Sequence, residues 1–432
     1  MYVRSINASP ILKKEVFLMK KTLALLLTAT TLLPSLAGCN QTDPVETTVG
    51  TTTAEEVTAP TPANPLDSIF GAPSQALANT IVKDYWNRDT AKGNLEGNNL
   101  AYVWGYASFM EAMAEAYRLF PEDQTIKQAY IACLTTGISK YKVTNAKITT
   151  PNGQTHTVSY YNASRGNAGD YYYDDDAWVC IQFLNAYELL QDERYLKEAE
   201  EILHFLWTGW DDQLGGGIYW DKTYKTKNTC SNGPTAIAFL WAHQLTGKAD
   251  YLEKGKMIYE WVREVMMDQN DGLYKDAINL EGGMDTWKAS YNQGTMIYTG
   301  ALLYEITGDT TYLKETRLSY KSSISLMFNG SGNYASVKNG PLFNAWSFAW
   351  LVRAYLKFYS VDPNKNTDAM KCLYGVLKKN LETKNDMGYY DPSFQSTNDW
   401  ETSPSTDILQ ACGMSSIMSL MTYYETTLKN AK

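Results

Sequence analysis

A two-helix unit recurs along this chain, and a recurring helical pair leaves few folds open. Apolar residues at three- and four-residue spacing run through LAYVWGYASFMEAMAEAYRLF (100–120), AWVCIQFLNAYELLQ (177–191), TAIAFLWAHQLTG (235–247), QGTMIYTGALLYEITG (293–308) and NAWSFAWLVRAYLKFYS (344–360). Between them lies a second set, DERYLKEAEEILHFLW, KADYLEKGKMIYEWVREVM and DTTYLKETRLSYKSSISLM. Each member opens with Tyr-Leu behind a polar turn, at Tyr195, Tyr251 and Tyr312, so the unit repeats after 56 and then 61 residues. The loops after the second set are alike too: WDDQLGGGIYWD, DQNDGLYKD, GSGNYAS and NDMGYYDPS each carry glycine and then an aromatic residue. Between residues 75 and 425 there is room for about six pairs. Such pairs stack as an open solenoid or close into a ring. Aromatic loops recurring at one end of every pair favour a ring with one functional mouth. The expected fold is all-α, an (α/α)6 barrel of about six helical hairpins.

The barrel is expected to occupy residues 67–432 only. Met19 to Cys39, MKKTLALLLTATTLLPSLAGC, has the basic start, apolar middle and small-residue end of a secretory signal. Its last four residues, Leu36 to Cys39, resemble the bacterial lipobox, which makes Cys39 the expected lipidation site and Met19 the expected true start of a signal peptide spanning 1–39. Residues 40–66 are rich in Thr, Pro, Ala and Glu and nearly empty of large apolar side chains; such a segment cannot offset its ordering entropy and should be a disordered tether. The expectation is an exported, monomeric protein held at the outer face of a bacterial membrane, with the lipid as its only membrane contact.

Acidic and basic residues are mixed around a net charge of −9, without a long basic run, which argues against nucleic acid as a partner. Besides Cys39 there are Cys133, Cys180, Cys230, Cys372 and Cys412, scattered and odd in number, which read as buried thiols. With three histidines in all, His156, His204 and His243, neither a histidine metal centre nor a Ser-His triad is expected, and no metal or cofactor is assigned. The 32 tyrosines and 12 tryptophans offer flat faces with polar edges, which suit sugar rings and equally suit the core of a large helical protein.

The stretch YYYDDDAWVC (171–180) is the chemically distinctive one. Asp174, Asp175 and Asp176 stand at the start of the helix expected over 177–191. One acid there is well explained by capping and by the helix macrodipole. Three adjacent like charges gain less from either effect and repel one another. Glycoside hydrolysis offers the other explanation, since it needs two carboxyl groups, about 5–5.5 Å apart for retention and about 6.5–9.5 Å apart for inversion. Consecutive Cα atoms lie about 3.8 Å apart, so adjacent aspartates bring their carboxyls close. Each charge then raises its neighbour's pKa, pairing a charged nucleophile with a protonated acid.

In order along the chain, YYDDDAW (172–178), GGGIYWD (215–221), KNTCSNGP (227–234), GLYKD (272–276) and YNQGT (291–295) resemble the landmarks of glycoside hydrolase family 76, the endo-α-1,6-mannanases. The resemblance covers most of residues 75–425. It implies an (α/α)6 barrel, retention, internal cleavage of α-1,6-linked mannan or manno-oligosaccharides, and no required cofactor. Carried over by position, it implies Asp174 as nucleophile and Asp175 as general acid/base, with Asp176, where many relatives have Asn, in a supporting or capping role. Further substrate-binding candidates are Tyr173, Tyr219, Trp220, Asn228, Asn232, Tyr291, Asn292 and Gln293, with Tyr102 and Trp104 weaker. The acidic pair Asp211 and Asp212 reads as turn chemistry. Ser290, where relatives often have Thr, is a mild departure touching linkage specificity. The rival readings are a non-catalytic surface glycan-binding lipoprotein, a helical scaffold for protein partners, and an exo-mannosidase or transglycosylase on the same barrel.

Overall fold

The computed structural model describes residues 63–429 apart from 98, 167–168, 339, 341, 343 and 396–406. The signal, the lipobox cysteine and nearly all of the tether therefore lie outside the described residues. Among those described, twelve α-helices alternate between an outer and an inner ring. The outer helices are α1 (Gly71–Tyr85), α3 (Gln124–Ala132), α5 (Glu193–Trp207), α7 (Ala249–Val265), α9 (Thr310–Met327) and α11 (Asp368–Asn380). The inner ones are α2 (Val103–Leu119), α4 (Tyr173–Leu190), α6 (Thr229–Thr246), α8 (Ser290–Thr307), α10 (Ala345–Val361) and α12 (Ile408–Tyr423). Each inner helix packs on the next, and α12 packs back on α2, so the ring closes. This is the expected (α/α)6 barrel.

Sequence pattern decides which ring a helix joins. In α5 the buried residues Tyr195, Ala199, Ile202, Leu203 and Leu206 form one stripe, with charge on the other face. In α6 every residue from Thr229 to Leu240 is buried, as an inner helix with neighbours on all sides requires. Small residues let these inner helices approach closely. A Cβ on Gly294 of α8 would sit 2.7 Å from the backbone nitrogen of Leu351 on α10.

Turns from inner to outer helices are short, and three of them are closed by a left-handed residue at the helix end, Gln191, Gly247 and Gly308. Connections from outer to inner helices are long, and they collect at the N-terminal ends of the inner ring. That end is the mouth. The all-α expectation needs one amendment there. Strands β1 (Lys142–Thr149) and β2 (Thr155–Tyr161) form an antiparallel hairpin ahead of α4, and β3 (Thr226–Asn228), β4 (Ala277–Asn279) and β5 (Met284–Asp285) form a small sheet joining the loops before α6 and α8.

Candidate active site

Helix α4 begins four residues earlier than the expected 177, so the three aspartates lie inside its first turn. The residue at the N-cap position is Tyr172, and no side chain caps the helix. The three acids therefore sit past the N-cap position, in the first turn, where the helix macrodipole favours negative charge.

Each acid has a different environment. Asp176 is fully buried; its Oδ1 accepts from the Tyr161 backbone N–H at 2.9 Å, which ties the end of β2 to α4, while its Oδ2 has no protein partner. Burial, helped by the neighbouring Asp175 and Asp174 charges, pushes its pKa well above the usual carboxylate range. Asp174 is partly exposed. Its Oδ2 accepts from Trp220 Nε1 at 3.3 Å, and the Cys230 thiol donates to it as well. Burial raises this carboxyl to about 6, against the pull of those donors. Asp175 is lifted well above its ordinary value, by burial first and then by the charges of Asp174 and Asp170. No hydrogen bond among the described residues opposes that shift. The pair is thus differentiated: the carboxyl held by donors ionises first, and its neighbour keeps its proton to higher pH.

Aromatic side chains surround the acids. Trp220, 37% exposed, lies 5.2 Å from the Tyr172 ring. One turn below Asp174, Trp178 meets Trp346 of α10 edge-on at 4.9 Å, and Trp346 also meets Trp104 at 5.2 Å and Tyr291 at 6.4 Å. The Trp346 indole donates to the buried Glu111 at 3.2 Å, and Glu111 is in turn ion-paired with Arg353. From α8, Asn292 Nδ2 donates to Asp276 Oδ1 at 2.7 Å, and the Tyr291 hydroxyl donates to the same oxygen at 3.3 Å. Surface cavities of about 330 Å³ beside His204 and about 500 Å³ beside Ile131 rest against outer helices and include none of these groups.

Several residues expected to contact substrate are engaged elsewhere. Asn232 is fully buried and grips the Ile218 backbone, accepting from its N–H at 2.7 Å and donating to its carbonyl at 2.8 Å. Gln293, also fully buried, does the same to Tyr274, at 2.8 Å in both directions. These amides clamp the glycine-aromatic loops to the helices that follow. Tyr219 is 1% exposed, with its hydroxyl on Asp211 at 2.7 Å, so it packs the loop and offers no sugar platform. Tyr173 is buried and stacked on Phe205 at 4.9 Å. Ser290 is buried and hydrogen-bonded to Ser347 at 2.8 Å.

Four candidates keep an accessible surface or spare polar capacity at the mouth. Trp220 and Tyr291 are partly exposed, and the Oδ1 atoms of Asn228 and Asn292 have no protein partner. The reading of the sequence passed over Cys230, Asp276, Trp178 and Trp346 as site groups. Asp276 stood within the quoted GLYKD motif, and the two tryptophans looked like ordinary core.

Residues 71–430 match the model of the family described as Glycosyl hydrolase family 76. The chain is 27% identical over 159 residues to the mannan endo-1,6-alpha-mannosidase of Candida glabrata, a match covering 34% of this chain and 35% of that one. It spans about a third of the length of the curated relatives it first matches. Among solved structures, a family 76 glycoside hydrolase from a bovine Bacteroides thetaiotaomicron strain superposes with a TM-score of 0.73 at 22% identity, over 84% of this chain and 79% of that one. An inactive alpha-1,6-mannanase variant from a Salegentibacter species, with two consecutive aspartates replaced by asparagine, is held in complex with alpha-1,6-mannotriose. It superposes with a TM-score of 0.63 at 22% identity, over 82% of this chain and 99% of that one. These likenesses show a shared fold.

Proposed function

Because the chain belongs to glycosyl hydrolase family 76, we propose that it hydrolyses internal α-1,6-mannosidic bonds of mannan with retention of configuration. The observation that carries the reading is the unequal pair Asp174 and Asp175, adjacent on one helix turn at an aromatic mouth. Asp174, held by Trp220 and Cys230, is the nucleophile. Its carboxylate attacks the anomeric carbon as the bond to the departing O6 breaks. Asp175 gives its proton to that oxygen. In the second half, the Asp175 carboxylate takes a proton from water, whose oxygen displaces Asp174 from the anomeric carbon.

Trp220 is the face on which a mannose ring stacks. Tyr291 and, at the edge of exposure, Asn228 turn polar groups to sugar hydroxyls, while the fully buried Asn292 acts behind them through Asp276. Asp176 is a supporting residue that fixes α4 to the hairpin. The inactive Salegentibacter variant, altered at two consecutive aspartates, supports the assignment of an adjacent pair.

We further propose that the enzyme is exported, cleaved and lipidated at Cys39, and works as a monomer on a tether of residues 40–66. The lipobox-like run Leu36 to Cys39 supports this.

The test is incubation of residues 67–432 with debranched α-1,6-mannan, and with α-1,4-glucan as control. Mannose oligomers of several lengths, appearing early and from mannan alone, are expected. Binding to mannan without release of reducing ends would overturn the enzymatic reading, and mannose as the sole early product would replace endo with exo action.

A further inference from the structure

Lys227, in the middle of the short strand β3, has no solvent exposure although it carries a charge. Its ammonium is enclosed by the loop of residues 209–221. Four oxygens surround it: Asp211 Oδ1 at 2.6 Å, the Gln213 and Gly216 carbonyls at 2.7 Å each, and the Asp211 carbonyl at 3.3 Å. The Tyr219 ring covers it at 4.7 Å, and the Tyr219 hydroxyl donates to the second oxygen of Asp211 at 2.7 Å.

One carboxylate and three carbonyls converging on a point charge form the kind of donor set a hard cation takes from a protein loop. Here the chain supplies the cation itself. The loop has need of one. Leu214, Gly215, Gly216 and Gly217 all have positive φ, at 59°, 79°, 136° and 90°, a conformation that is costly for leucine and leaves carbonyls turned inward. An ammonium at the centre offsets their mutual repulsion.

The same loop leads directly to the reaction centre. Tyr219 pairs with Lys227 across a β-bridge, the Trp220 N–H donates to the Thr226 carbonyl at 2.9 Å, and the Trp220 carbonyl accepts from the Tyr173 N–H at 2.8 Å. The Trp220 indole then donates to Asp174. We propose that Lys227 is a positioning residue: its buried ammonium organises the 209–221 loop around itself, in place of a bound cation, so that Trp220 holds the Asp174 carboxylate. This rests on the reading of Asp174 as nucleophile. Asp174 is faced by Asp175 and Asp176 from its own helix, by Trp220 from the loop, by Cys230 from α6 and by Tyr291 from α8, with Asp276 beyond Cys230. Lys227 is faced by Asp211, Asp212 and Tyr219. Of the side chains around Asp174, Trp220 and Cys230 donate to it.

Removing Lys227 alone would strand a buried carboxylate, so the main variant is Lys227→Met with Asp211→Asn, which removes both charges together. Trp220→Phe removes the indole donor alone. The readouts are kcat/KM against pH on α-1,6-mannan and, independent of turnover, the pH midpoint of carbodiimide coupling to Asp174 followed by peptide mass spectrometry. Both variants should raise the acid limb and the coupling midpoint together, by about one pH unit, because a donor to the charged form has been lost. In Lys227→Ala, added n-propylammonium, which replaces the missing methylenes and ammonium, should reverse the shift.

A folded double variant with the wild-type midpoint would overturn the proposal. If the double variant does not fold, Lys227→Gln, which removes the ammonium and leaves an amide to donate to Asp211, takes its place with the same expected direction, and an unchanged midpoint there overturns it equally. A wild-type enzyme that releases nothing from mannan would sink the mannanase reading, while the coupling midpoints still judge Lys227.

Discussion

Replacing Gln293 with methionine separates two roles for a buried amide that read identically in sequence. In the structure Gln293 accepts from the Tyr274 N–H and donates to the Tyr274 carbonyl, both at 2.8 Å, and donates to the Ala289 carbonyl at 3.2 Å. Methionine matches its length, so the cavity and strain terms are small. The Ala289 carbonyl keeps the Gln293 backbone N–H as a donor, at 3.3 Å. The two Tyr274 groups lose their only partner from this side chain. An orphaned buried polar group costs about 1–3 kcal/mol, so two cost about 2–6 kcal/mol. Sparing the desolvation of the amide returns about 1–3 kcal/mol, and the net destabilisation is about 2 kcal/mol. That is a large part of the roughly 5–15 kcal/mol that holds a domain folded. Urea unfolding followed by tryptophan fluorescence, with wild type and variant side by side, measures it as a lower midpoint at unchanged slope. A variant within about 0.5 kcal/mol of wild type, accompanied by a raised KM for mannan, would refute the clamp and return Gln293 to the substrate.

Asp176 has its folded-state pKa raised, so the fold binds its proton more tightly than the unfolded chain does, and stability is lost as pH rises from the ordinary carboxylate range through the folded value. Asp176→Asn removes that dependence and keeps an oxygen for Tyr161. The difference in Tm between variant and wild type should therefore grow more positive from pH 5 to pH 8; a difference independent of pH would contradict the buried protonated carboxyl. The acid limb of kcat/KM against pH should fall near 6, where Asp174 ionises in the pair; a limb below about pH 4, the ordinary aspartate range, would mean that burial does not raise it. Gly294→Ala pushes a methyl to 2.7 Å from the α10 backbone, and overpacking at so rigid a contact should cost about 1–3 kcal/mol in the same urea assay. An unchanged urea midpoint would show that the inner ring is looser than described.

The ring was legible because the repeat is a physical necessity. Each helical pair must hide one apolar surface, and the spacing of Tyr195, Tyr251 and Tyr312 marks the units. Helix starts were harder to read. Gly233 and Pro234 look like punctuation and hid the first six residues of α6, yet Gly233 is there because a Cβ would run into the Thr295 hydroxyl and lie 2.9 Å from Thr295 Cβ. The β1–β2 hairpin alternates around Pro-Asn-Gly, a turn signal overlooked beside the stronger helical period.

At the candidate site, the acidic run drew attention by its adjacent charges, and the family resemblance supplied the roles proposed for it. The amides Asn232 and Gln293 did not, since a loop clamp and a sugar ligand call for the same side chain and differ only in burial. Lys227 was invisible for another reason: nothing in KNTC says that the loop holding Asp211, sixteen residues earlier, closes around its ammonium.

The central claim is the division of labour between two adjacent aspartates, and a substrate that needs no acid tests it most directly. A 1,6-linked α-mannobioside carrying dinitrophenolate departs without a proton, so its first turnover requires the nucleophile alone. Asp175→Asn should keep the rapid first release of dinitrophenolate while losing mannan hydrolysis by about 10²–10⁴-fold, and Asp174→Asn should lose both. A rapid release that survives in Asp174→Asn and vanishes in Asp175→Asn would contradict the assignment.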